Sequence, residues 1–160
     1  MLRKDVGNFP RPLGIAYIIV QIIGGFAGAL ISWFLRDQSG QIVLSANKYF
    51  VQGVFTEILG TFIVVFFYLT QTEEKTVLSK EKAITCFIIA SSYIGARAMC
   101  AGNHITLSGA CLNPGIAIGT SFTQLYIGGD GIKWIWLYGG LPFAGAVIAV
   151  LFYEFIFKKT

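Results

Sequence analysis

The 160-residue sequence predicts an all-α membrane domain: four spanning helices and one short re-entrant half-helix. Three observations carry this. Hydrophobic residues make up 55 % of the chain and charged residues only 12 %, against about 25 % charged in a soluble domain. Four apolar runs approach or exceed the roughly 20 residues that a helix needs to cross a bilayer. Between the third and fourth runs lies a semi-apolar stretch too short to cross, opened by Asn113-Pro114. The whole, residues 1–160, reads as a single domain.

The first span is placed at Leu13–Leu35 and is closed by Arg36-Asp37. The second is Tyr49–Thr70, closed by a polar stretch that begins Gln71-Thr72-Glu73. The third, Ala83–Met99, is the shortest and carries Arg97 near its end, where an arginine usually snorkels to the interface. The fourth is Trp134–Phe157, closed by Lys158-Lys159. The intervening Leu112–Gln124 has the length of a re-entrant segment. Asparagine suits the cap of such a half-helix and proline its first turn, which sets the start at Asn113.

The Lys/Arg distribution predicts orientation. Eight such residues (Arg3, Lys4, Arg11, Lys75, Lys80, Lys82, Lys158, Lys159) fall on the side shared by both termini, and four (Arg36, Lys48, Arg97, Lys133) on the other. Both termini are therefore expected on the positive, cytoplasm-like side of an integral membrane protein. The half-helix then dips in from the opposite face. The bias does not name the organelle: mitochondrial inner membrane and plasma membrane both fit.

Few residues offer chemistry. Glu57 lies about eight residues into the second span, where a carboxylate costs about 2.5–3.5 kcal/mol on insertion scales and needs a partner. The backbone N–H groups of the loop before Asn113 are the expected partners. Asn113 itself sits where the positive end of the half-helix meets mid-membrane, and its amide can donate to a polar solute there. Of the 19 glycines, Gly24 and Gly28 form a GxxxG, and Gly60 and Gly145 lie inside other spans; these four are assigned to helix packing. His104 is the single histidine and is assigned to a solvent-facing loop. Cys86, Cys100 and Cys111 have no spacing that suggests a disulfide framework or zinc, so no metal and no cofactor is expected. No nucleophile–base pair or paired carboxylates occur, which argues against an enzyme. The basic residues form no stripe, which argues against nucleic acid.

Four segments, in order, resemble the aquaporin or major intrinsic protein family. AYIIVQIIGGFAGALI is similar to the family's third transmembrane helix and FTEILGTFIVVF to its fourth, with Glu57 at the family's buried glutamate. SGACLNPG is similar to the loop leading to its second Asn-Pro-Ala motif, and LPFAGAVIAVLFYEFIF to its sixth helix. The resemblance implies an aquaporin-like partial bundle, matching the third to sixth helices and one half-helix of a fold built as an inverted repeat. The motif reads Asn113-Pro114-Gly115-Ile116 where the family has Asn-Pro-Ala-Arg, so the selectivity-filter arginine is replaced by isoleucine. Ala98 is the best match to the fifth-helix filter position. With half of the pore wall unmatched, the resemblance implies a degenerate, incomplete pore, and a structural or accessory subunit of a larger membrane complex as the first expectation. The alternative is a channel for water or small neutral solutes, completed by a partner chain or by homo-oligomerisation. Either reading calls for membrane lipids and for other subunits, or a second copy, as partners.

Overall fold

The computed structural model describes residues 10–36, 50–101, 111–126, 128 and 131–159. Five α-helices account for nearly all of them: α1 (Arg11–Arg36), α2 (Phe50–Thr72), α3 (Lys82–Ala101), α4 (Pro114–Tyr126) and α5 (Ile135–Phe155). Short 3-10 turns at Gly131–Trp134 and Phe157–Lys159 flank α5. Helices α1, α2, α3 and α5 are long and apolar enough to cross a membrane; α4, at 13 residues, is not. The fold is thus an all-α bundle of four spans and one re-entrant half-helix.

The element ends follow local chemistry. At the start of α1, the Pro10 carbonyl accepts the N–H groups of Leu13 (3.0 Å) and Gly14 (3.2 Å). Pro12 sits in the first turn, where a missing N–H costs nothing. The helix therefore begins two residues ahead of the apolar run. At α3, the Glu81 carbonyl accepts the N–H of Thr85 (3.1 Å), so the helix opens at Lys82. The half-helix begins at Pro114, two residues later than the apolar stretch, because Leu112 has φ +52° and is not helical. Pro142 lies inside α5 and leaves the Tyr138 carbonyl without its usual helical donor.

Packing is closest where side chains are smallest. The helices form an open arc in the order α3, α2, α5, α4, α1, and among the described residues α1 packs closely on α4 alone and α3 on α2 alone. The two ends of the arc do not meet. Gly145 brings α5 onto α2: a Cβ there would run into the Ile58 carbonyl oxygen. Edge-on phenylalanines extend the same seam, with Phe152 against both Phe62 and Phe66 at 5.6 Å. The outward face carries large apolar side chains such as Val20, Phe34, Phe55 and Phe87, each more than half exposed. Glu57, Thr123 and Gln124 are buried. Apolar groups outside and polar groups inside is the arrangement a hydrocarbon solvent favours.

Candidate functional site: the half-helix and its clamp

The site is assembled around the chain entering α4. Glu57 projects from α2 and is fully buried. Its carboxylate accepts the N–H of Cys111 (Oε1, 3.0 Å) and the N–H of Leu112 (Oε2, 2.9 Å). Both donors precede a half-helix and have no place in a helical ladder, so without Glu57 they would stand unpaired at membrane depth. The two charge-assisted bonds offset the cost of burying the carboxylate.

Leu112 is the one described non-glycine residue with positive φ. That conformation costs about 1–3 kcal/mol. Its side chain explains why glycine is not used. Leu112 is buried with Ala96 and Cys100, flanked by Ile63, Val64 and Tyr93. It lies over Gly60, where a Cβ would come within 2.6 Å of Leu112 Cδ2 and 2.9 Å of Cys100 Sγ. The missing side chain at Gly60 is therefore the space that Leu112 fills.

Asn113 then caps α4 in two ways. Its carbonyl accepts the N–H of Ala117 (3.0 Å) and its Oδ1 accepts the N–H of Gly115 (2.9 Å). With Oδ1 spent on the cap, the two Nδ2 protons remain, and no described residue accepts them. The residue is half-buried. A donor pair at the positive end of a helix dipole suits a polar, uncharged or anionic oxygen and repels cations. Pro114 occupies the first helical position, where its lack of an N–H is harmless.

Small residues seat α4 on α1. A Cβ at Gly25 would run into the Gly115 carbonyl, one at Gly119 into the backbone of Gly25 and Phe26, and one at Gly115 would lie 3.1 Å from the Gln21 carbonyl oxygen. This corrects the assignment of Gly24 and Gly28. Both are exposed, with nothing within 4 Å of where a Cβ would sit. Gly25, one residue on and about 100° further round the helix, makes the crossing with the half-helix's own GxxxG, Gly115 and Gly119. Gly60 and Gly145 do lie in close contacts.

The two residues expected at filter positions have different surroundings. Ile116 packs against the buried cluster of Cys111, Ala117, Leu137 and Tyr138. Ala98 is exposed on α3, and Ala96, two residues earlier, is the α3 alanine that meets Leu112. Arg97 is exposed on α3. Cys100 Sγ donates to the Thr56 carbonyl (3.2 Å) and Cys111 Sγ to the Asn113 carbonyl (3.2 Å), so both buried thiols are spent on local backbone. Among the described residues, no three His, Cys, Asp or Glu side chains group as metal ligands. His104 lies outside the described residues.

The sequence of this bundle also matches a known family. Residues 5–153 match the family described as Major intrinsic protein. The chain belongs to the major intrinsic protein family. It is 30 % identical to Aquaporin-5 of Botryotinia fuckeliana over 94 % of this chain and 26 % of that protein. It is 28 % identical to Aquaporin-7 of the same fungus, over 94 % of this chain and 31 % of the relative. It is 24 % identical to the probable aquaporin PIP2-5 of Arabidopsis thaliana, over 90 % of this chain and 51 % of the relative. The chain thus spans between a quarter and a half of the length of these major intrinsic proteins. No solved structure matches significantly. The family's members are channels, not enzymes.

Three determinants of the site were not singled out from the sequence: Leu112, Gly25 and Gly119. Leu112 leaves no compositional trace, because its role is set by a backbone angle. The glycines did leave one. Gly115 and Gly119 are spaced as a GxxxG, and Ile22, Gly25, Ala29 and Trp33 form a helical stripe beside the one carrying Gly24 and Gly28.

Proposed function

We propose that this chain is an aquaporin-like component of a larger membrane assembly, and that its pore wall is incomplete until further polypeptide closes it. The open arc carries the reading: α1 and α3 end the row of helices without meeting. The half-buried Asn113 and the backbone around it then need a cover, since uncovered polar backbone costs several kcal/mol per group in hydrocarbon. Ile116, packed into an apolar cluster where the family places its filter cation, supports a structural or accessory role in that assembly. The partners on this reading are membrane lipids and other membrane subunits, or a second copy of the chain.

A second reading rests on a separate observation. Asn113 keeps its donors while its Oδ1 is committed to the cap, which is the chemistry of a solute-facing asparagine. On this reading, a completed pore passes water or small neutral solutes.

Gentle extraction followed by native electrophoresis and mass spectrometry separates these. A stoichiometric complex with unrelated subunits, and no added water permeability when that complex is placed in liposomes, supports the accessory role. A complex that raises water or glycerol permeability supports the channel. A stable, free monomer would overturn both.

A further inference from the structure

We propose that the groove between the end of α2 and the start of α3 binds a phosphoethanolamine headgroup, supplied by phosphatidylethanolamine in the surrounding membrane. The groove, about 870 Å³, is lined by Gln71, Glu74, Ser79, Lys80, Lys82 and Cys86, among others. It lies at the adjoining ends of two helices long and apolar enough to cross a membrane, and the end of such a span is where headgroups lie.

Its two walls are opposite in sign. One is the C-terminal end of α2, where helix carbonyls point outward, joined by Glu73 and Glu74. The other is the N-terminal end of α3, whose first N–H groups have no partner inside the helix, joined by Lys80 and Lys82. Glu74, Lys80 and Lys82 are exposed and, among the described residues, form no ion pair with one another. A wall that attracts a cation thus stands opposite one that attracts an anion.

A buried side chain adds an independent requirement. Gln71 is 3 % exposed and contributes to the lining. Its Nε2 donates to Thr70 Oγ1 (3.3 Å), but its Oε1 has no hydrogen-bond partner. A buried carbonyl oxygen without a donor costs about 1–3 kcal/mol. It asks for an N–H or O–H, and a primary ammonium supplies three N–H bonds. A quaternary choline head supplies none. A phosphate two carbons away from that ammonium reaches toward the lysines and the α3 N-terminus. Phosphoethanolamine carries this pair of charges at this separation.

Cys86 provides the readout. It is exposed and lines the groove, whereas Cys100 and Cys111 are buried. The chain, within the assembly that gentle extraction yields, is placed in phosphatidylcholine nanodiscs doped with phosphatidylethanolamine, with phosphatidylglycerol, or with neither. The rate of Cys86 alkylation by N-ethylmaleimide is followed by intact mass. Phosphatidylethanolamine is expected to slow alkylation several-fold, and phosphatidylglycerol, which has the phosphate without the amine, is not. The rim variant Lys80→Gln/Lys82→Gln, altered only at exposed positions, is expected to lose the protection, as is Glu74→Gln in part. Equal protection by phosphatidylglycerol would mean a merely basic surface and overturn the proposal. So would undiminished protection in the double-lysine variant, or no protection at all. Free O-phosphoethanolamine in undoped discs tests the source: protection equal to that of the lipid would overturn the lipid assignment in favour of a soluble phosphoamine.

Discussion

Glu57 Oε2 lies 2.9 Å from the backbone nitrogen of Leu112, and Leu112 has φ +52°. The two facts belong together. A strained backbone angle persists only when its surroundings fix it, and the carboxylate does so by accepting both N–H groups of the Cys111–Leu112 pair. Glu57→Gln keeps the shape of the side chain but replaces one acceptor oxygen with a donor, which then faces an N–H. One buried N–H is left unpaired, at a cost of about 1–3 kcal/mol. The expected result is a lower melting temperature in detergent and faster amide exchange at Cys111 and Leu112. Unchanged exchange at these two residues would contradict the clamp.

The same residue sets a second expectation, in which two effects oppose each other. Leu112→Gly removes the left-handed strain, worth about 1–3 kcal/mol, but adds a glycine's extra backbone freedom to the unfolded chain, which takes back about 0.4–1 kcal/mol. It also empties the site over Gly60, and loss of a buried leucine side chain costs about 2–5 kcal/mol. The packing loss wins, so the variant is expected to be less stable than the parent despite its easier backbone. Chemical unfolding in mixed micelles measures the sign. A stabilised variant would mean that the side chain contributes little.

The α1–α4 crossing offers a matched pair of tests. At Gly119, an added methyl meets the backbone of Gly25 and Phe26, which cannot move aside as a flexible side chain would. Gly119→Ala is expected to part α1 from α4, the one helix on which it packs closely. Protease susceptibility of the α1 segment, with the rest of the chain intact, reads this directly. Gly24→Ala adds its methyl to open space, and alanine is favoured over glycine in a helix by about 1 kcal/mol. It is expected to be neutral or slightly stabilising in this chain. Equal damage from both variants would contradict the crossing described here.

These contrasts also show which parts of the structure are written in the sequence. The spans were legible because lipid exposure demands apolar residues along a whole helix, and α2, placed at Tyr49–Thr70, is found at Phe50–Thr72. The fold and the family were legible for the same reason: Glu57 and the Asn113-Pro114 pair break an apolar pattern, and a costly exception draws attention. Phase around a helix was not legible in α1. Apart from Gln21 and the terminal arginines its residues are apolar or small, so the stripe through Gly25 stands out no more than the one through Gly24 and Gly28. The deciding fact, the approach of the Gly115 carbonyl, belongs to another element. Likewise Ala98 and Ala96 are the same residue type two positions apart, and only the packing of Leu112 shows which one faces the half-helix. The groove at Gln71 depends on two helix ends meeting in space, and local sequence carries no sign of it.

Asn113 has two separable tasks, and two substitutions divide them. Its Oδ1 accepts the N–H of Gly115 at 2.9 Å, while the Nδ2 protons have no acceptor among the described residues. Asn113→Ala removes both, and loss of such a cap costs about 0.5–2 kcal/mol. Asn113→Asp retains an acceptor for Gly115 and places a negative charge at the positive end of α4, which a helix dipole favours. Against that gain stands the cost of a second carboxylate at depth, about 2.5–3.5 kcal/mol on insertion scales unless it is protonated. A protonated aspartic acid still caps but has one donor in place of two. If the chain is purely structural, Asn113→Asp should assemble into the native complex as well as the parent, and Asn113→Ala should assemble less well. If Asn113 faces a solute, Asn113→Asp should assemble normally and yet change the permeability of the reconstituted complex. Parallel measurement of complex yield and of liposome water permeability decides between them. Normal assembly of Asn113→Ala, with permeability unchanged, would assign the residue neither task.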